Sequence, residues 1–421
     1  MKAATLKRVI VLILMLALGP QYGRAYSVLT HEALIDAAWD NYIAVLLKQK
    51  YKLTPEQLKD AHAYAYGGAV APDMGYYPFG SKLFTNLVHY VRSGDYVMAL
   101  LEEAHDANEY AFALGSLCHY FADIYGHHLG VNVSVPIVYP KVKEKYGPIV
   151  TYDDDPASHK RVEFAFDVTQ TAKGNYATQA FHDFIGFKVA DSVMERAFYK
   201  TYGMHLSDVF KNFSRAVNTF RWSVKEFFPE LTRAAWATKR SEIEKSQSGM
   251  TGRKFRYHMK RINYNKQYGR DRDKPGFFAH ILAGLIRILP KIGPLKPLKF
   301  TPPGPVAEKY YIQSFDTVLI HYDASIKKMF DSNIHLNNQD FDTGKKTTPG
   351  EYKLADKTYC DLVLKLQDLE YATVNPTLKQ NILYFFENAK SDTTLHQNKD
   401  WDKVSKALSE LQCAPLRSGT R

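Results

Sequence analysis

Apolar residues recur at intervals of three and four along most of the chain, the spacing of one face of an amphipathic helix. Residues 101–125 keep this pattern, and residues 310–330 and 352–369 repeat it late in the chain. Long alternating patterns with hairpin turns, which would predict strands, are scarce. The sequence therefore predicts an all-α fold, with a multi-helix N-terminal part and a smaller C-terminal helical region.

Two helix starts carry capping residues. Thr30 precedes the periodic run that begins at His31, so we expect it to be the N-cap of the first helix. Thr54 precedes Pro55 and is followed three residues later by Gln57, which predicts a capping box at the start of another helix.

The first 25 residues have the composition of an export signal. Three basic residues in the first eight are followed by an unbroken apolar run over residues 9–18, and Ala25 closes a short segment that contains small residues. The run is too short to span a bilayer. We therefore expect cleavage after Ala25, a mature chain that begins at Tyr26, and a periplasmic or secreted protein.

Changes in composition predict four parts, with the bounds 1–25, 26–245, 246–306 and 307–421. The net charge is +11, and residues 239–272 are dense in Lys and Arg. That stretch either meets phosphate-rich partners or is a solvated linker. The apolar segment 277–289 leads into a proline-rich connector, and it either covers the core or contacts a membrane surface. We interpret the last part as an accessory helical region without a chemical motif.

The three cysteines show no metal-finger spacing. Cys118 lies in an apolar helical pattern, whereas Cys360 and Cys413 come late and could pair in an oxidising compartment. The sequence leaves that pairing open.

The strongest chemical pattern lies near the middle of the first half. His119, Asp123 and His127 follow one another at intervals of four inside a predicted helix. At about 3.6 residues per turn, this interval keeps all three side chains on one helical face. Imidazole nitrogens and carboxylate oxygens are the ligands that zinc favours outside cysteine sites.

Further elements of the same chemistry surround this triple. A free α-amine has a pKa of about 8, so the mature N-terminus can also offer a metal ligand. Any one element is common in structural helices, but their occurrence together behind an export signal predicts a metal centre. The elements are His159 with Glu163, Asp73 with His89 sixteen residues later, and Tyr26 with His31.

In their order and residue types, these elements resemble the zinc-dependent phospholipase C family, which shares its helical fold with the secreted zinc nucleases of the S1/P1 type. The run from His119 to His127 is similar to the His-Tyr-x-Ala-Asp-x-x-x-His run in the phospholipase-C-like domain of glycosylphosphatidylinositol-specific phospholipase D. The resemblance covers about residues 26–182 and extends loosely to 245. It does not reach the C-terminal half.

The resemblance implies about three zinc ions in one cleft and Asp73 as general base. Its ligands, carried over residue by residue, are Asp73, His89, His119 and Asp123 for the first zinc, His127, His159 and Glu163 for the second, and the amine and carbonyl of Tyr26, His31 and the other oxygen of Asp123 for the third.

Two departures from the family pattern remain. Bacterial members begin the mature chain with Trp instead of Tyr. The gap after Asp123 is also shorter here, which leaves the choice between His127 and His128 open. His127 keeps the helical face, so we prefer it.

The implied activity is hydrolysis of phospholipid or glycolipid head groups through a zinc-activated water. One alternative is a nuclease or 3′-nucleotidase of the S1/P1 type that acts on nucleic acid, which the spacing of Tyr26 and His31 and the basic stretch favour. The other is a non-catalytic helical surface protein with zinc ions as structural staples. The sequence leaves the oligomeric state open.

Overall fold

The computed structural model describes residues 28–173, 175–176, 185–246, 299–330, 334–389, 395 and 398–415. Within these ranges the chain forms helices and no strand, apart from an isolated bridge between Gln339 and Lys346. The predicted all-α class is confirmed. Tyr26, the predicted export signal, the apolar segment 277–289 and most of the basic stretch lie outside the described residues.

Three π-helical turns interrupt otherwise continuous helical paths in the part of the chain that the structure describes. The α-helices of the described residues are α1 (Val28–Ala38), α2 (Ala44–Lys50), α3 (Pro55–Val70), α4 (Lys82–Tyr90), α5 (Ser93–Glu102), α6 (Ala107–Gly126), α7 (Asn132–Val138), α8 (Pro140–Tyr146), α9 (Pro156–Ala172), α10 (Asp191–Tyr202), α11 (Leu206–Val209), α12 (Phe213–Trp222), α13 (Phe228–Ser246), α14 (Pro305–Phe330), α15 (Lys353–Asp368), α16 (Pro376–Glu387) and α17 (Trp401–Cys413). The π-turns are Trp39–Ile43, His127–Val131 and Ser223–Phe227, and Ala71–Tyr76 is a 3₁₀ turn.

One predicted helix start is confirmed and the other is wrong. Thr54 forms the expected capping box with Gln57 at the start of α3. Helix α1, however, already includes Thr30 and begins at Val28. The reason is a distant carboxylate: Asp167 of α9 accepts hydrogen bonds from the Leu29 amide at 3.1 Å and from the Thr30 hydroxyl at 2.8 Å. Asp167 thus satisfies the Leu29 amide in the first turn of this helix, and it takes the Thr30 hydroxyl that would otherwise serve as a local cap.

Helices α3 and α6 pack at unusually close range because glycines lie where they meet. A Cβ at Gly68 would stand 1.9 Å from the Phe112 carbonyl oxygen, and one at Gly115 would stand 2.1 Å from the Ala65 carbonyl oxygen. Only glycine permits this approach. The close contact brings the last turn of α3 against the part of α6 that carries His119.

Helices from both halves of the chain share one hydrophobic core, which runs from Val28 to Leu411. In α14, the buried Tyr322 donates a hydrogen bond to the Leu114 carbonyl of α6 at 2.9 Å. The predicted boundary at residue 306 stays a prediction, but the helices after it do not have a core of their own.

Two smaller findings complete the fold. Cys118, Cys360 and Cys413 are all free thiols, so Cys360 and Cys413 do not pair in this structure. No helix among the described residues is long and apolar enough to cross a membrane.

Candidate metal centre

Asp123 lies at the centre of a buried cluster of imidazoles and carboxylates. The interval of four places it on one face of α6 with His119, whose Nε2 is 3.2 Å from Asp123 Oδ2. Nε2 of His127, one turn further on, is 3.9 Å from Asp123 Oδ1. The shared face expected from the spacing is therefore present, and the cluster divides into two groups around Asp123.

The first group joins Asp123 to Asp73, His89 and His119. His89 Nε2 is 3.2 Å from Asp73 Oδ1 and 3.4 Å from Asp123 Oδ2. The Nε2 atoms of His89 and His119 are 3.3 Å apart. Four side chains from the 3₁₀ turn, α4 and α6 thus point their metal-ligating atoms at one small volume.

Thr85 connects the turn that carries Asp73 to the helix that carries His89. Its hydroxyl donates to the Pro72 carbonyl at 2.7 Å and accepts from the Gly75 amide at 2.7 Å. The sixteen-residue interval between Asp73 and His89 does not predict these hydrogen bonds. The structure shows that they bring the two side chains together.

Backbone carbonyls hold the rear nitrogens of both imidazoles in the first group. His89 Nδ1 donates to the Thr85 carbonyl at 2.8 Å, and His119 Nδ1 donates to the Ala69 carbonyl at 2.9 Å. With the ring protons on Nδ1, the lone pairs of both Nε2 atoms face each other and the carboxylates. Such an arrangement is repulsive without a cation and well suited to one.

The second group consists of His127, His159 and Glu163. Glu163 Oε1 is 2.9 Å from His159 Nδ1 and 3.6 Å from His127 Nε2. His159 and Glu163 lie one turn apart on α9, as their spacing predicts. His127 is buried in this group whereas His128 is exposed, which favours His127 for the position that the sequence left open.

Side chains, instead of carbonyls, stand behind the imidazoles of the second group. Asp342 Oδ1 lies 3.1 Å from His127 Nδ1, and Asn132 Oδ1 lies 2.8 Å from His159 Nε2. The π-turn His127–Val131 explains the position of Asn132, because its hydrogen bond from residue i+5 to residue i stacks Asn132 over His127.

Sequence reasoning missed Asp342. It lies 215 residues after His127, in a region where we found no motif. Neither helical spacing nor a neighbouring histidine marks it, so no signal in the sequence could have identified it.

His31 lies beside the first group. Its ring stacks on that of His119 with centroids 4.4 Å apart, and its Nε2 is 3.5 Å from Asp123 Oδ1. Its ligating atoms also lie close to those of Asp73 and His119. The proposed partner of His31 in the third site, Tyr26, lies outside the described residues.

Electrostatics in the cluster reflect opposing effects of burial and charge. Burial by itself lowers the pKa of His89, but Asp123 and Asp73 raise it to about 9. Burial acts on His159 in the same way, and Glu163 and Asp342 raise its pKa to about 9. Without a metal, protons on these rings balance the buried carboxylates.

The carboxylates respond in opposite directions. Burial would raise the pKa of Asp123, yet His119 and His127 hold it well below its usual range. Burial is the larger effect on Glu163 and raises its pKa. Asp123 is therefore the more firmly ionised carboxylate of the two, as its place between the groups requires.

The cluster fits zinc on an independent criterion. Among the described residues, both oxygens of Asp123 and of Glu163, and Oδ1 of Asp73, are buried and accept no hydrogen bond. Buried carboxylate oxygens without such partners are costly unless a cation compensates them. The donor set of imidazole nitrogen and carboxylate oxygen is the one that zinc prefers.

Two further histidines of this half, both in the described part of the chain, do not join the cluster. His62 stacks on Trp39 with centroids 3.7 Å apart and lies 3.2 Å from Asp36 Oδ1, which satisfies it in the core. His105 is exposed. His182 lies outside the described residues.

A buried set of imidazoles and carboxylates on helices defines a metal centre suited to zinc. A family model described as zinc dependent phospholipase C matches residues 30–212, which contain all eight described candidate ligands from His31 to Glu163. Residues 30–212 are thus similar to that family, and the resemblance drawn from the motifs is confirmed. The match covers less than half of the chain and ends before Asp342. No curated protein and no solved structure matches the chain.

Proposed function

We propose that the protein is an exported phosphodiesterase that uses about three zinc ions to hydrolyse phospholipid or glycolipid head groups. One observation carries the proposal: the two oxygens of Asp123 face different partners. Oδ2 lies 3.2 Å from His119 Nε2 and 3.4 Å from His89 Nε2, whereas Oδ1 lies 3.5 Å from His31 Nε2. A carboxylate in that position can bridge two metals, as a multinuclear hydrolase requires.

The proposed ligands follow the groups in the structure. The first zinc would be held by Asp73, His89, His119 and Asp123, and the second by His127, His159 and Glu163. The third would be held by His31, the other oxygen of Asp123, and the amine and carbonyl of Tyr26. When bound, zinc supplies Lewis acidity that lowers the pKa of a coordinated water to about 7 and offsets charge on the phosphoryl group.

The residues of the chain then have distinct tasks. Besides holding the first zinc, Asp73 would accept a proton from the attacking water, the role that the family resemblance implies for it. The carbonyls of Thr85 and Ala69 keep His89 and His119 in one orientation, which maintains the geometry of that position. Burial of the cluster strengthens its electrostatic interactions relative to those in water.

One observation favours a non-catalytic alternative. All eight described candidate ligands are buried, as they would be in a closed structural site. The nuclease alternative has support only in the spacing of Tyr26 and His31 and in the basic stretch, which lie largely outside the described residues.

The test uses the mature protein, prepared without an N-terminal tag so that Tyr26 keeps its free amine. Zinc content is measured by elemental mass spectrometry. Hydrolysis is measured on phosphatidylcholine vesicles, on a glycosylphosphatidylinositol-anchored protein and on single-stranded DNA, with a chelated sample restored by zinc as control. We expect about three zinc ions per chain and hydrolysis of one of the lipid substrates.

The other outcomes separate the alternatives. Cleavage of DNA without cleavage of lipid would replace the proposal with the nuclease. Tightly bound zinc without any hydrolysis would support structural staples. A protein that binds no zinc would overturn the proposal as a whole.

A further inference from the structure

We propose that Asp342 is a positioning residue for the second zinc site, supplied by a segment outside the matched region. The inference rests on the proposed function, because it assumes that His127, His159 and Glu163 hold a metal. It adds a part of the site that lies in the C-terminal half, where the sequence shows no chemistry.

The two nitrogens of each ring in the second group face opposite ways. His127 Nε2 and His159 Nδ1 face Glu163 Oε1 at 3.6 Å and 2.9 Å. The other nitrogens, His127 Nδ1 and His159 Nε2, face Asp342 Oδ1 at 3.1 Å and 3.5 Å. Asp342 therefore stands behind both rings and is not a ligand of the metal that the front nitrogens would bind.

The two contacts differ in kind. Asp342 accepts a hydrogen bond from His127 Nδ1. His159 Nε2 has Asn132 Oδ1 as its nearer partner at 2.8 Å, and the Asn132 amide donates to the Asp342 carbonyl at 2.8 Å. Asp342 thus orients His127 directly and His159 together with Asn132.

The second oxygen of Asp342 fixes the carboxylate itself. Oδ2 accepts from the Tyr152 amide at 2.8 Å and from the Tyr352 hydroxyl at 2.8 Å. Two donors on one oxygen leave Oδ1 aimed at the histidines. Positioning requires a carboxylate that cannot rotate away, and these bonds supply that restraint.

The segment around Asp342 contacts residues of both groups. Next to it, the Phe341 amide donates to the His89 carbonyl at 3.2 Å, and the Phe341 ring lies 5.1 Å from that of His89 between centroids. Gly344 has φ +69°, and a Cβ there would stand 2.8 Å from the Ile124 carbonyl oxygen. Glycine therefore allows the turn to lie directly on α6, beside Asp123 and His127.

A carboxylate behind an imidazole has a known physical effect. It holds the proton on the rear nitrogen, fixes the ring and makes the front nitrogen a stronger ligand. Loss of such a partner typically costs about 10–100-fold in metal affinity. We expect that loss at the second site alone, because carbonyls support the first group.

The experiment compares full-length wild type with Asp342→Asn, which keeps the shape and removes the charge. Asp340→Asn is the matched control, because Asp340 is a buried carboxylate in the same turn that binds Thr343 and has no contact with the histidines among its hydrogen bonds. Zinc content and zinc affinity by chelator competition are measured for all three proteins. Asp342→Asn should lose about 10–100-fold in affinity for one zinc ion while the others stay unchanged.

Each result has a separate meaning. Wild-type affinity for every zinc ion in Asp342→Asn would overturn the inference and leave the proposed function intact. Equal weakening of all ions, or the same loss in Asp340→Asn, would show a general structural role and also overturn it. A wild type that binds no zinc would instead reject the proposed function.

If Asp342→Asn does not fold, a measurement on the wild-type protein tests the role of Asp342. In the zinc-loaded wild type, ¹⁵N nuclear magnetic resonance of labelled histidine should show the His127 proton on Nδ1, facing Asp342. A proton on Nε2 would contradict the inference, because that nitrogen would then be unable to bind the metal.

Discussion

The two histidine groups around Asp123 present the same chemistry at the front and different supports at the back. In the first group, carbonyls of Thr85 and Ala69 accept from His89 and His119. In the second, side chains of Asp342 and Asn132 hold the rings. A carbonyl support survives any substitution that keeps the backbone in place, whereas a side-chain support can be removed by a single substitution.

The supports also differ in their origin along the chain. In the first group, the Thr85 carbonyl lies four residues before His89, and the Ala69 carbonyl lies 50 residues before His119, on α3. The carboxylate of the second group comes from 215 residues after His127 and from outside the part that matches the family. We infer that the first site depends on the helix geometry of α4 and on the contact of α3 with α6, and the second on the packing of the C-terminal half.

The largest effect is expected from replacing Asp123, the residue that lies between both groups. Asp123→Asn should lose about two of three zinc ions, because Asp123 would ligate the first and third. Hydrolysis should fall by more than about 100-fold, since loss of a ligand exceeds the loss of a supporting partner. The second zinc, held by three other side chains, should remain. The measurements are zinc content and hydrolysis of the lipid substrate.

The control for this variant is Asp36→Asn. Asp36 is another carboxylate beside an imidazole, that of His62, but it has no place in the cluster. It should keep all zinc ions. Three ions and near-normal hydrolysis in Asp123→Asn would remove the shared carboxylate from the proposed site.

A second prediction concerns the protons that the two histidine groups release when they bind zinc. In the metal-free protein the pKa values of His89 and His159 are raised to about 9, so both rings are protonated at pH 7. Zinc binds only neutral imidazole, so each group should release about one proton at pH 7 as it takes up zinc. Zinc affinity should therefore rise as the pH is raised to about 9 and level off above it.

Calorimetric titrations in buffers of different ionisation enthalpy measure this proton count. Because Asp342 contributes to the raised pKa of His159, the count in Asp342→Asn should fall for the second group and stay the same for the first. A pH-independent zinc affinity between pH 6 and about pH 9 would contradict the proton balance described above.

The smallest expected effect concerns the residue that restrains Asp342. Tyr352→Phe removes the hydroxyl that donates to Asp342 Oδ2, but the Tyr152 amide still donates to that oxygen. Release of zinc from the second site should become faster by less than about tenfold, since a hydrogen bond to a charged group is worth about tenfold (about 1.5 kcal/mol) and the Tyr152 amide keeps part of the restraint. Zinc release is followed with a chromogenic chelator.

Tyr359→Phe is a suitable reference for this variant, because it removes a buried phenol hydroxyl that donates to Asn381 and lies in the same part of the chain. It should leave zinc release unchanged. Equal rates in Tyr352→Phe and wild type would mean that the Tyr152 amide alone is enough to hold the carboxylate.

Much of the centre could be predicted because helices repeat regularly. The interval of four placed His119, Asp123 and His127 on one face, and it placed His159 one turn from Glu163. These relations depend only on backbone geometry within a helix. The capping box at Thr54 was predictable for the same reason, since all of its partners lie within four residues.

Relations between distant segments could not be predicted in this way. Thr30 carries the residue type of a local cap, but it lies inside α1 and its hydroxyl donates to Asp167 of another helix. The absence of any pattern around Asp342 suggested an accessory region, yet that residue lies against His127. In both cases a side chain gained its role from packing against a segment that is remote in the sequence.

The sequence by itself determined the helical class, and it predicted zinc and the set of candidate ligands, because periodicity and ligand chemistry are properties of short segments. Which atoms stand behind those ligands depends on tertiary packing. The close contact of α3 with α6 at Gly68 and the contact of Gly344 with α6 bring those atoms to the rings. These contacts arise when hydrophobic burial brings distant segments together, and burial is non-directional, so local sequence does not encode which carbonyl or carboxylate will meet each ring.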